Sequence, residues 1–262
     1  MKQASTAALF ALAMIAGIAT SAVAGEARPV LVELYTSQGC SSCPPADALL
    51  TELTRRKDLI AMSLPITYWD MLGWKDTLAS DANTKRQKAY AAAMGRGGVY
   101  TPQIIVDGVT DVVGSRVDKV EAAIKAAERA QKDGNGASAK NAVWSVGIDL
   151  SRTPQKLHVA ITGAPAAAKG KSQATIWIFR LRSSATVHIG AGENKGRTMT
   201  YRNVVNDIQD VGRWNGRAIS LDLPHAGPKV PPHDAVVVVV QQGGYGRVIG
   251  AAYLGHADYY DQ

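Results

Sequence analysis

Apolar and polar positions alternate in two different textures along this chain. In the first half, runs of mostly apolar residues are separated by stretches with helical spacing. "VLVELYT" (30–36) reads as a central strand. After the turn "SQG", Ala46, Leu49, Leu50 and Leu53 recur at i, i+3, i+4 and i+7, one apolar face of a helix. Pro44 and Pro45 fit the first turn of that helix, where backbone N–H groups have no partner in any case. "LIAMSLPIT" (59–67) predicts a second strand, and "SDANTKRQKAYAAAM" (80–94) a helix capped by Ser80. "PQIIVDGVTDVVG" (102–114) predicts a hairpin turning at Asp107-Gly108, and "SRVDKVEAAIKAAERAQ" (115–131) a closing helix capped by Ser115. The predicted order is βαβα–ββα.

Beyond residue 141 the runs become short and β-rich: 142–150, 156–162, 174–182, 218–224, 235–241 and 247–255. Several alternate apolar with polar residues between Gly, Pro or Asn clusters, the pattern of an antiparallel sandwich. The run of valines in 235–241 reads as a strand buried on both faces. Between the two textures, "QKDGNGASAKN" (131–141) is Gly-, Asn- and Ser-rich without apolar periodicity and reads as a linker.

Charge supports a division at that point. Residues 25–137 carry 14 basic and 14 acidic side chains, whereas 138–262 carry 14 and 8, so the net positive charge lies in the second half. The N-terminus is a different kind of segment. Lys2 precedes an apolar run (7–20) shorter than the ~18 residues a membrane span needs, and "AVA" (22–24) offers small residues for cleavage. The expected organisation is a signal peptide at 1–24 cleaved after Ala24, an α/β domain at 25–132, a linker at 133–141 and a β-rich domain at 142–262. The expected location is periplasmic or secreted, with no membrane span after cleavage.

The chemistry centres on "QGCSSCPP" (38–45), which holds the only two cysteines, Cys40 and Cys43. In an oxidising compartment two such thiols pair unless something reduces them. A bridge spanning two intervening residues constrains the unfolded chain very little, so a structural staple gains almost nothing. A redox role is therefore favoured over a metal-handling pair or an inert binding scaffold. At a strand-to-helix junction the helix N-terminus stabilises a thiolate. All five histidines (158, 188, 225, 233 and 256) lie in the second half, so a third soft or borderline ligand for a metal such as copper would come from across the domain boundary.

The βαβα–ββα order, the CxxC after the first strand and the Thr-Pro of "YTPQIIVDG" (100–108) together resemble the thioredoxin fold, glutaredoxins in particular. The resemblance implies that Cys40 is the exposed attacking thiol, Cys43 the resolving thiol, and Pro102 a cis-proline preceded by Thr101 that shapes a peptide groove. It also implies a proton-transferring acid on the first strand, for which Glu33 is the candidate. "ELYTSQGCSSCPPADALL", "YWDMLGWKD" (68–76) and "GENKGRTMTYRNVV" (192–205) are similar to signature stretches of a bacterial family of secreted thioredoxin-like proteins catalogued as a domain of unknown function. That family carries a His and an Asp just before the Tyr-Trp pair; here these positions hold Pro65 and Thr67.

Tyr68, Trp69 and Trp74 are candidates for substrate contact beside the CxxC, since aromatic rings form such walls. The glycine-rich stretch 188–214 predicts a tight loop in which Arg197 and Arg202 grip an anionic group. It lacks the Gly-Lys-Ser/Thr ending of a phosphate loop. The function expected is thiol–disulfide exchange on protein or small-molecule disulfides, without cofactor or metal. The expected partners are thiol- or disulfide-containing proteins of the cell envelope and an anionic envelope component, not nucleic acid.

Overall fold

A computed structural model describes residues 28–134, 145–164, 173–226, 230 and 232–255. The expected signal peptide and all of the expected linker beyond Gly134 lie outside the described residues. In chain order the elements are β1 (Val30–Thr36), α1 (Pro44–Leu53), β2 (Leu59–Pro65), α2 (Asp81–Ala93), β3 (Gln103–Val106), β4 (Thr110–Val113), α3 (Val117–Gly134), β5 (Ile148–Arg152), β6 (Lys156–Ile161), β7 (Ala174–His188), β8 (Thr198–Trp214), β9 (Ile219–Pro224), β10 (Ala235–Gln242) and β11 (Val248–Leu254). A single 3-10 turn, Asp70–Leu72, sits between β2 and α2. No helix among the described residues is long and apolar enough to cross a membrane.

Local chemistry accounts for the first half much as the pattern predicts. Pro44 opens α1, and Ser80 caps α2 by accepting from the Asn83 amide. The β3–β4 turn uses Asp107 and Gly108, both at positive φ, as a tight hairpin requires. α3 starts one residue later than a Ser115 cap implies, since the Arg116 carbonyl accepts from the Lys119 and Val120 amides.

The fold is α/β and built on one mixed eight-stranded sheet, ordered β11-β10-β7-β8-β2-β1-β3-β4, with a separate three-stranded sheet β5-β6-β9. β1 and β2 are parallel, β3 and β4 antiparallel to their neighbours. Strand alternation sorts the core into layers. Val32 and Leu34 of β1 face α1 and α3, meeting Leu50, Leu53, Val120 and Ile124. Leu31 and Tyr35 face the other way and join Met62, Leu64, Tyr90, Phe179, Val237 and Val239 in a second cluster. The three-stranded sheet covers Val236, Val238 and Val240, so the valine run of β10 is buried on both faces.

The sandwich expected for the second half needs one correction. The second-half strands do form two layers, but one layer is the continuation of the first-half sheet. The continuation runs through β8, whose Val204 pairs in parallel with Ser63 of β2. The Asn203 carboxamide donates to the Ala61 carbonyl, and Asn83 of α2 donates to Val205. Among the described residues β2 has no other strand on that side, and an unpaired edge carrying this much apolar surface is unfavourable. The expected loop at 188–214 is correspondingly short: 198–214 is strand, paired along its length with β7.

A polar cluster is sealed inside the second apolar cluster. Glu33 accepts from Arg86 Nε at 2.6 Å and from the Tyr90 hydroxyl at 2.6 Å, and Arg86 also donates to Gln241 of β10 at 3.0 Å. Rings of Tyr90, Trp177, Phe179 and Tyr245 surround the guanidinium. Burial alone would lower the Arg86 pKa, but Glu33, Tyr90 and Tyr35 hold it above its ordinary value.

Candidate functional site

The site forms where β1 ends. Thr36 closes the strand, the Cys40 amide turns back onto the Ser37 carbonyl, and Cys43 takes the capping position of α1 with Pro44 next. Cys40 and Cys43 form a disulfide. Both cysteines are 0% exposed, although Ser41 and Ser42 between them are exposed. Expected as an exposed attacking thiol, Cys40 is instead enclosed in this oxidised state.

β3 runs alongside β1 with Gln103 opposite Tyr35, so Pro102 stands level with the strand end from which the CxxC emerges. The Thr101–Pro102 bond is cis, and the Pro102 carbonyl accepts from the Gly114 amide. Trp69 ties this segment to the turn: its Nε1 donates to Thr101 Oγ1 at 2.8 Å, and its Cβ lies 3.4 Å from where a side chain on Gly39 would begin. Tyr68 packs beside Trp69 at the rim of the apolar core. Trp74, half-buried, donates to Gln38 Oε1 at 2.8 Å. The buried carboxylate of Asp76 accepts from the Gln38 amide at 2.8 Å. Cys40, Cys43, Thr101, Pro102, Tyr68, Trp69 and Trp74 thus gather at one end of β1 and β3.

Glu33 does not join them. On β1 it shares a face with Leu31 and Tyr35, away from α1, and its carboxylate belongs to the Arg86 cluster. The acid on the CxxC side of the sheet is Asp47, one turn along α1 from Cys43. Its Oδ1 accepts from Thr36 Oγ1 at 2.8 Å, while Oδ2 is buried without a partner. Burial pushes its pKa up to about 8, against the lowering effect of the Thr36 hydrogen bond, and Asp76 adds to the rise. Near neutral pH this carboxyl holds its proton. The sequence carried a signal for it: an Asp on the buried face of an amphipathic helix, four residues after a cysteine.

Two further residues reach the motif from far away. The loop between β7 and β8 (189–197) folds over the CxxC. Asn194, buried, donates through Nδ2 to the carbonyls of Gln38 and Cys40, both at 2.9 Å. Glu193 accepts from the Ser41 amide at 2.9 Å, and the Ser41 side chain and then its amide hold the carboxyl below the usual range. Gly190 and Gly192 lie against Trp74, where an added Cβ would come to 3.0 and 3.1 Å of the indole side chain. Nothing local in the sequence points to these contacts. Arg197 and Arg202 were expected to grip an anion; Arg197 is exposed at the end of the loop and Arg202 lies on β8 opposite Ser184. Neither side chain makes a hydrogen bond or ion pair among the described residues, and they do not converge with the CxxC.

No curated protein shows significant similarity to the chain. A crystal structure of a protein from Agrobacterium tumefaciens matches with a TM-score of 0.72 and 31% sequence identity, over 88% of this chain and 95% of that one. HBP35 of Porphyromonas gingivalis matches with a TM-score of 0.57 over 88% of this chain and 76% of that one; at 13% identity the likeness is one of fold alone. The family model described as "Protein of unknown function (DUF1223)" matches residues 31–241, most of the chain. The chain belongs to that family.

Proposed function

We propose that the protein is an exported thiol–disulfide oxidoreductase whose first half is a thioredoxin-like unit. The observation that carries the reading is the Cys40–Cys43 disulfide at the start of α1, level with the cis-peptide at Pro102. A helix N-terminus favours a thiolate at the first cysteine, which makes it both a better nucleophile at neutral pH and a better leaving group. Export rests on the N-terminal sequence, and the partners are thiol- or disulfide-containing proteins of the cell envelope.

In the reducing direction the Cys40 thiolate attacks one sulfur of a partner disulfide. A mixed disulfide forms, and the partner's other sulfur leaves as a thiolate and takes up a proton. Cys43 then loses its proton and attacks Cys40 Sγ. The Cys40–Cys43 disulfide forms, the partner's second thiolate leaves, and two electrons have passed to the partner. The oxidising direction is the reverse. Asp47 is the group placed to exchange a proton with Cys43, because its raised pKa lies close to the ~8.5 of an ordinary thiol.

Trapping tests this directly. Cys43→Ser, exposed to envelope proteins, is expected to accumulate mixed disulfides through Cys40, whereas Cys40→Ser accumulates none. Absence of adducts from both variants, judged on non-reducing gels with mass spectrometry, would remove the reading.

A further inference from the structure

Within the motif Ser42 Oγ lies 3.4 Å from Cys40 Sγ, and further contacts reach the motif from outside it. The serines between the cysteines are exposed and both cysteines are buried, while a loop 152 to 156 residues away in sequence is bonded to the backbone at Gln38, Cys40 and Ser41. A thiolate attacks a disulfide along the S–S axis, so a buried sulfur is reached only after what covers it moves. The loop is held by side chains. Asn194 spans the Gln38 and Cys40 carbonyls, Glu193 takes the Ser41 amide, and Gly190 and Gly192 sit flush on Trp74, which is itself bonded to Gln38.

Building on the thiol–disulfide reading, we propose that the 189–197 loop is a redox-linked latch. It is closed over the oxidised pair through Glu193 and Asn194, released when Cys40 becomes a thiolate, and displaced by an extended peptide that carries the partner cysteine. The peptide class follows from what the loop occupies. The Cys40 carbonyl and the Ser41 amide are the two ends of one trans peptide unit and point in opposite directions, and the loop reaches both, one with an amide donor and the other with a carboxylate acceptor. A peptide backbone offers a donor for the Cys40 carbonyl on one side of that unit or an acceptor for the Ser41 amide on the other; a small thiol offers neither. Met71 and Leu72 stand exposed beside the loop, and the Leu72 carbonyl lies 3.9 Å from where a side chain on Gly192 would begin. They give the peptide's apolar side chains a surface.

The link to redox state is electrostatic. Covalent geometry keeps Cys40 Sγ within about 5 Å of the next residue's amide nitrogen. The Glu193 carboxylate is bonded to that nitrogen. A thiolate at Cys40 therefore sets a second negative charge beside Glu193 at the same helix N-terminus, and like charges this close repel. Lys195 and Arg197 are the other charged groups of the loop; both are exposed, and neither side chain makes a hydrogen bond or ion pair among the described residues.

The test uses the oxidised full-length protein and dithiothreitol. Its thiolate opens the Cys40–Cys43 bond, and its second thiol closes to the cyclic disulfide, leaving two reduced cysteines that alkylation counts. Asn194→Ala loses two buried hydrogen bonds and is expected to be reduced about ten-fold faster than the wild type. Glu193→Gln, at an exposed position that leaves folding intact, is expected to be reduced a few-fold faster. Equal rates for the wild type and both variants would overturn the latch. That result would leave the exchange reading standing, since that reading is decided by trapping with Cys43→Ser. Hydrogen exchange tests the redox link: amides of 189–197 are expected to exchange faster on reduction in the wild type but not in Cys40→Ser/Cys43→Ser against its own oxidant-treated form. Unchanged protection in reduced wild type would overturn the release step.

Discussion

Replacing Arg86 with alanine is expected to lower the unfolding free energy by about 3–5 kcal/mol, the usual consequence of leaving one member of a buried ion pair alone. The structure gives the reasons. Arg86 and Glu33 are both buried, and truncation strips Glu33 of two donated hydrogen bonds while leaving only the Tyr90 and Tyr35 hydroxyls. It also frees Gln241 Oε1 and opens a void among Tyr90, Trp177, Phe179 and Tyr245. Removing both charges is a different experiment. Arg86→Met with Glu33→Leu is expected to recover a good part of the loss, because a buried pair replaced by apolar groups of similar volume is often close to neutral. Denaturant unfolding of the single and double variants measures this coupling. A loss under about 1 kcal/mol for Arg86→Ala would mean that water reaches Glu33 on truncation and that the cluster is not sealed.

Asp47→Asn is expected to flatten the pH dependence of stability. With the native pKa raised to about 8 from an ordinary value of 3.8, the folded chain keeps a proton that the unfolded chain has already lost. Between those values stability falls as pH rises, at about 1.4 kcal/mol per unit, and the contribution is gone once the pH passes the folded-state value. From pH 5 to pH 7 the wild type should therefore lose about 3 kcal/mol more than the variant. Asparagine fills the same space and still accepts from Thr36. The proton-transfer role has a separate readout: the variant should slow the step in which Cys43 resolves a mixed disulfide, while Cys40 attack is little changed. Parallel stability profiles for wild type and variant would show that Asp47 is ionised in the fold and would withdraw it as a proton carrier for Cys43.

How much of this was legible in the sequence differs from residue to residue. α1, the Ser80 cap and the Asp107-Gly108 hairpin follow from spacing and turn chemistry within a dozen residues, and they stand where the pattern puts them. Parity along β1 is available too, and it separates Glu33 from Thr36 and hence from α1; reading the strand as mostly apolar and central leaves that parity unused. Asn194 and Glu193 are another matter. Their partners are carbonyls and an amide, groups every residue carries, so no side-chain type at positions 38–41 selects them. The joining of the halves is equally silent, because it depends on where β8 meets β2, a pairing made at Ser63 with Val204. A change of charge and texture near residue 137 marks a change of local structure, and the sheet passes across it.

That passage governs how the chain can be handled in pieces. Met62 and Leu64 of β2 share one apolar cluster with Phe179, Leu181 and Val205 of β7 and β8 and with Val237 of β10. A fragment ending near Gly134 would keep its helices and its CxxC, yet it would expose the open flank of β2 and the underside of that cluster to other molecules of itself. Such a fragment has the ingredients of self-association by strand addition, and its cysteines would meet one another in a crowd. Assays of the redox pair on a truncated first half would then report intermolecular disulfides of an aggregate, so the whole chain is the smallest unit on which the chemistry of Cys40 and Cys43 can be read.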